Sequence, residues 1–141
     1  MEGLTTHKFV AVLNKKIPVG SLMNALGHMA AGLCAGYPNL AEMRFDTYFD
    51  QNGGQHKSIS DNPFIILAAD NSNKLRTLRM ELLAAGVHFV DFTGTMTAGT
   101  YAEQKERTKN TPEAELEYFG VCMFGEKVKL GELTRKFSLW K

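Results

Sequence analysis

One stretch limits what this chain can become more than any other: an apolar strand that runs, through a short basic loop, into a thin helix. Residues 8–36 read KFVAVLNKKIPVGSLMNALGHMAAGLCAG. The first seven are almost continuously apolar, as in a strand covered on both faces. Pro18 stands where a first helical turn begins. Leu22, Leu26, Met29 and Leu33 then recur at i, i+4, i+7 and i+11, one narrow stripe that reads as core. Gly20, Gly27, Ala30, Ala31 and Gly32 keep the helix slim enough to lie close to a sheet or a ligand. Ser21, Asn24 and His28 share another face, and Gly36-Tyr37-Pro38 ends the helix.

The remaining chain alternates strands with helices. Residues 64–69 (FIILAA) form a second buried strand behind Pro63. Asp70, Asn71, Ser72 and Asn73 offer helix caps. Leu75, Leu78 and Leu82 mark a helix that Gly86 closes, and residues 87–92 form a third strand. This unit predicts a right-handed parallel crossover. Residues 118–124 form a last strand. Leu130, Leu133, Phe137 and Trp140, at i, i+3, i+7 and i+10, predict a closing amphipathic helix. Between the first helix and Pro63, the Gln51-Asn52-Gly53-Gly54 turn signal fits either a hairpin or an irregular excursion. Residues 93–112 are polar and threonine-rich, long enough for a lid or binding loop. Their charged part, 103–109, reads as a wet surface, partly a short helix. The pattern predicts a single-domain, three-layer α/β/α sandwich with a mixed, mainly parallel sheet.

Composition narrows the functional classes. With 141 residues, 44% of them hydrophobic, the chain can bury a core without disulfides. Cys34 and Cys122 have neither CxxC nor metal spacing and read as small core residues in a reduced, cytoplasmic protein. No secretory leader or membrane-spanning run is evident. A net charge of +1 is unlike a protein that holds nucleic acid by bulk electrostatics, though a local basic patch stays open. His7, His56 and His88 show no HxH or HExxH spacing, so no metal or other cofactor is expected.

In open α/β sheets, ligands gather beyond the carboxyl ends of the strands. There the sequence brings Lys15 and Lys16, the helix start with Gly20, Ser21, Asn24 and His28, and Asp91 followed by Thr93 and Thr95. Histidine, carboxylate, hydroxyls and a lysine pair at one edge are the ingredients of general acid–base work on an ester or amide. Each residue also has a plainer role: His28 satisfying a carbonyl, Asp91 and the threonines shaping a turn, and the lysines solvated in a loop.

In order and spacing these blocks resemble the type II peptidyl-tRNA hydrolase fold, and most closely an uncharacterised bacterial domain-of-unknown-function family that shares it. Three stretches carry the likeness. They are residues 8–31 with Gly20 and His28, the segment Val90-Asp91-Phe92-Thr93-Gly94-Thr95, and residues 119–140 ending in Leu139-Trp140. The resemblance implies a metal-independent hydrolase of the ester between peptide and tRNA, with His28, Asp91 and Thr95 near the substrate. The chain departs from that pattern where the family's lysine, glutamine and arginine are Ser21, Ala25 and Gly94. Losing the two cations removes charge that would hold a phosphate or an oxyanion.

Two readings follow. One is a divergent hydrolase with His28 as base or orienting group, Asp91 as its partner, and Thr93 or Thr95 as hydrogen-bond donors. The other is a non-catalytic domain that uses the same pocket for a small polar or anionic ligand, as a monomer or a homodimer. Neither involves a membrane. A tRNA-linked substrate belongs only to the first.

Overall fold

The computed structural model describes residues 5–141; of the amino-terminal stretch read above for a leader, residues 1–4 lie outside it. Its centre is β1 (His7–Asn14), whose residues Val10, Ala11 and Val12 are fully buried. The chain continues through α1 (Val19–Gly36), the hairpin β2 (Phe45–Phe49) and β3 (Gln55–Ser60), and β4 (Phe64–Ala69). It then forms α2 (Ser72–Ala85), β5 (His88–Thr93), α3 (Tyr101–Lys109), β6 (Tyr118–Glu126), α4 (Lys127–Thr134) and a short β7 (Ser138–Leu139). Five strands make one sheet in the order β5-β6-β1-β4-β7, and β2 with β3 makes a separate two-stranded sheet.

Alternation along β1 sends its side chains to two cores. Phe9, Ala11 and Leu13 pack with Phe92, Cys122 and Phe124 beneath Leu22, Ala25, Met29 and Leu33 of α1. Val10 and Val12 pack with Val121 and Met123 against Leu75, Leu78 and Leu82 of α2, Leu130 of α4, and Phe137. Leu75, Leu78 and Leu82 are each fully buried, worth about 1.5–3 kcal/mol apiece. Asn71 caps α2 by accepting from the Lys74 N–H at 3.0 Å, and Gly86 closes it at φ 67°. At Gly120 a Cβ would stand 2.7 Å from Leu13 Cδ2, 2.9 Å from Met29 Cε and 3.2 Å from the Val12 carbonyl oxygen, so a side chain there would have to displace the ends of Leu13 and Met29 beneath α1.

Two expectations are corrected. The sheet is mixed but mainly antiparallel: of the neighbouring pairs only β1 and β4 are parallel, whereas β6 opposes both β1 and β5, and β7 opposes β4. The cause lies in residues 94–117, which stay at the edge where β5 ends. The Gly94 N–H donates to the Glu117 carbonyl at 2.9 Å, so β6 starts where β5 stops and must run back. The strands joined by α2, β4 and β5, do point the same way, but β1 and β6 lie between them. The closing helix ends at Thr134. Its apolar spacing is met instead by a turn and β7, with Phe137 in the α2 core and Trp140 against the α1 core. The undecided excursion is a hairpin, and the charged 103–109 segment lies within α3.

Candidate functional site

At the carboxyl edge, Asn14 is buried and ties β1 to β6. Its Nδ2 donates to the Tyr118 carbonyl at 3.0 Å, and its Oδ1 accepts from the Lys16 N–H at 3.0 Å. Lys15 is drawn away to Asp70 at 2.9 Å, an exposed pair of little energetic weight.

The Thr93, Thr95 and Thr108 hydroxyls form a chain, 2.8 Å and 2.7 Å apart, that Thr108 extends to the Gln104 carbonyl. Arg107 donates to the Thr95 carbonyl at 2.7 Å and to the Ala98 carbonyl at 3.0 Å. A guanidinium therefore reaches the turn beside Gly94 from α3, but backbone oxygens take up its charge-bearing face.

Sheet geometry separates the expected catalytic pair. Val90 and Phe92 pack under α1, so alternation turns Asp91 to the opposite face. There Arg79 of α2 donates to Asp91 Oδ2 at 2.8 Å. His28 remains on the α1 side, exposed, with its ring 5.8 Å from that of Phe92. With Met23, Asn24, Gly27 and Ala31 it lines only an open, shallow groove. The structure thus gathers Thr93 and Thr95, and places Asn24 and His28 on the exposed side of α1 with Gly20 and Ser21 also exposed. It does not bring Asp91 to His28, and Lys15 turns to Asp70.

A better-formed cavity lies at the other end of the sheet, at the amino ends of β1 and β5 and the carboxyl end of β6. The register sets His7 beside Glu126 and His88 beside Phe124. Phe124 is buried at the centre. His7 stacks on it at 5.3 Å, and Tyr37 meets it edge-on at 5.0 Å. His88 Nε2 bonds to the Leu33 carbonyl at 2.8 Å, so Nε2 carries the proton. The Glu42 carboxylate joins two groups: it accepts from the Tyr37 hydroxyl at 2.5 Å and lies 3.5 Å from His7 Nε2. Burial and then Glu42 push the Tyr37 phenol up to about 12, so it remains a donor. These rings, with Gly86, Glu126 and Lys129, line a cavity of about 420 Å³. Lys129 Nζ donates to the Ala85 carbonyl at 2.9 Å.

No sequence motif marks this edge. His7 and His88 each stand at the amino end of an apolar run, and that placement is the local signal available. Their convergence on Phe124 is set by strand register alone. Among the described residues no group of three or more His, Cys, Asp or Glu is placed to hold a metal ion. No helix among them is long and apolar enough to cross a membrane.

The model of a family described as "Protein of unknown function (DUF2000)" matches residues 7–141. No curated protein matches the chain. A solved structure of a protein of unknown function from Agrobacterium tumefaciens strain C58 is similar at a TM-score of 0.82 and 16% identity, covering 98% of this chain and 100% of that one. At that identity the likeness is one of fold.

Proposed function

The chain belongs to the DUF2000 family of proteins of unknown function, and from that premise we propose that it is a binding domain for a small zwitterion of amino-acid size, held over Phe124 at the amino edge of the sheet. The observation that supports this reading is the make-up of that cavity. The rings of His7, Tyr37 and His88 packed around Phe124 line it, together with one carboxylate, Glu126, and one ammonium, Lys129. About 420 Å³ falls in the usual range for small-molecule sites. A ligand ammonium would meet Glu126. A ligand carboxylate would meet Lys129, which keeps two N–H donors beyond its bond to Ala85. The ligand's apolar part would cover the rings.

Calorimetric titration with a panel of free amino acids tests the reading. Saturable binding to the wild type is expected, weakened roughly tenfold or more by Glu126→Gln and by Lys129→Met, with N-acetylated amides of the same side chains not bound. No binding by any member of the panel would reject it.

A second reading keeps the carboxyl edge, and the Thr93–Thr95–Thr108 hydroxyl chain favours it. In this reading the fold is a three-layer, peptidyl-tRNA hydrolase II-like sandwich. The protein is a divergent hydrolase of an ester or amide, in which His28 works without Asp91 and Thr95 donates to the substrate. Release of peptide from peptidyl-tRNA by wild type and His28→Ala decides it, since equal rates leave His28 no role.

A further inference from the structure

Two cavities adjoin at the amino edge of the sheet. The one over Phe124 measures about 420 Å³. A second, of about 320 Å³, is lined by Thr6, His7, Ala41, Glu42, Arg44 and Asn62. His7 belongs to both linings, so the two are neighbours across its ring. Each cavity also sets a carboxylate beside that residue. Glu126, the partner of His7 across the β1–β6 pair, lines the first. Glu42 lines the second, with Oε2 3.5 Å from His7 Nε2.

The second cavity holds two acceptors with unmet capacity. Asn62 is only 6% exposed. Its Nδ2 donates to the Glu42 carbonyl at 2.9 Å, and this fixes the amide, because the flipped group would set oxygen against oxygen. The Asn62 Oδ1 is then buried without a partner among the described residues, a costly state for an acceptor. Glu42 is half used. Its Oε1 accepts from the Tyr37 hydroxyl, whereas Oε2 has the long contact to His7. Arg44 adds no free positive charge, since Asp61 takes both its prongs at 2.7 and 2.8 Å. A cation bearing several N–H groups matches an open carboxylate oxygen and an orphaned amide oxygen together.

We propose that the ligand of this edge is a basic amino acid, with its side-chain cation in the second cavity. The proposal rests on the zwitterion reading of the first cavity and names the side chain that reading leaves open. The α-ammonium and carboxylate stay with Glu126 and Lys129. The side chain passes His7, and its terminal cation donates to Glu42 Oε2 and Asn62 Oδ1.

Calorimetric titration of the full chain with lysine, ornithine and arginine, against norleucine, tests this. Norleucine keeps the aliphatic chain of lysine and lacks its terminal ammonium. At least one of the three basic amino acids should bind roughly tenfold or more tighter than norleucine. Glu42→Gln keeps an acceptor for Tyr37 and removes the charge, so it should erase that preference and leave norleucine binding unchanged. Norleucine bound as tightly as all three overturns the inference and leaves the zwitterion reading standing, whether or not the variant folds. A preference that survives Glu42→Gln in a folded variant also overturns it. If none of the four binds, the inference falls, and the wider amino-acid panel shows whether the zwitterion reading falls with it.

Discussion

The Arg79 guanidinium and the Asp91 carboxylate meet at 2.8 Å on the face of the sheet turned away from His28. Both side chains are little more than a quarter exposed. Asp91 holds the Arg79 guanidinium above its ordinary range, and Arg79 is the group that Asp91 serves. Asp91→Asn should therefore act on stability, costing about 1–2 kcal/mol in urea unfolding, because it leaves a half-sheltered guanidinium without its counter-charge. Arg79→Met with Asp91→Leu should recover much of that loss. An unchanged unfolding midpoint for Asp91→Asn, together with a change in any ligand or substrate assay, would reverse the assignment.

The turn of Asp91 was within reach of the sequence, because HFVDFT puts apolar Val90 and Phe92 on either side of it and alternation cannot place all three on one face. The β4 strand was legible for a similar local reason: six apolar residues stand between Pro63 and Asp70. The leucines of α2 and its Gly86 stop were equally local. The sense of β6 was not, since it depends on whether residues 94–117 return at the same edge, a matter settled by the distant Gly94–Glu117 bond. The amino-edge cavity is non-local in the same way. Nothing near His7 or His88 in the chain says that each will lie beside the end of β6.

Two phenols should govern alkaline unfolding. Burial, with help from Glu42, pushes Tyr37 up to about 12, and burial with help from Glu113 does the same for Tyr118. Unfolded tyrosine titrates near 10, so the fold prefers the protonated phenol. The resulting stabilisation is complete below about pH 10 and is lost as pH rises toward about 12. Tyr37→Phe and Tyr118→Phe should each flatten the fall in stability across that window, measured as urea midpoints at stepped pH. A fall of the same depth in both variants would place its origin elsewhere.

Neither thiol should behave as a reactive cysteine. Burial pushes Cys122 up to about 12 and moves Cys34 upward as well, and thiolate is the form that reacts. An aromatic disulfide reagent at about pH 8 should leave Cys122 untouched in the folded protein and modify Cys34 more slowly than a free thiol, with both reacting once the chain is unfolded in denaturant. Modification of folded protein at the free-thiol rate would contradict the packing around α1.

Gly94, where the resemblance implies arginine, is closed by its neighbour. A Cβ there would stand 3.2 Å from Phe119 Cε1 and 3.6 Å from Cζ, and Phe119 is itself buried against Phe92, ring centroids 5.8 Å apart. Because the backbone at Gly94 is not in the left-handed region, the constraint is packing. Gly94→Ala should cost about 1–3 kcal/mol by overpacking, and Gly94→Arg more. Phe119→Leu opens the space, so the double variant Gly94→Ala with Phe119→Leu should be less destabilised than the sum of the two singles, a coupling that a double-mutant cycle reads directly. Arg107→Ala should loosen the same turn by removing its bonds to the Thr95 and Ala98 carbonyls, and should raise the rate of proteolytic cleavage within residues 94–100. If the two substitutions at Gly94 and Phe119 add without coupling, ring contact is not what excludes a side chain there, and the absence of arginine from this turn needs another cause.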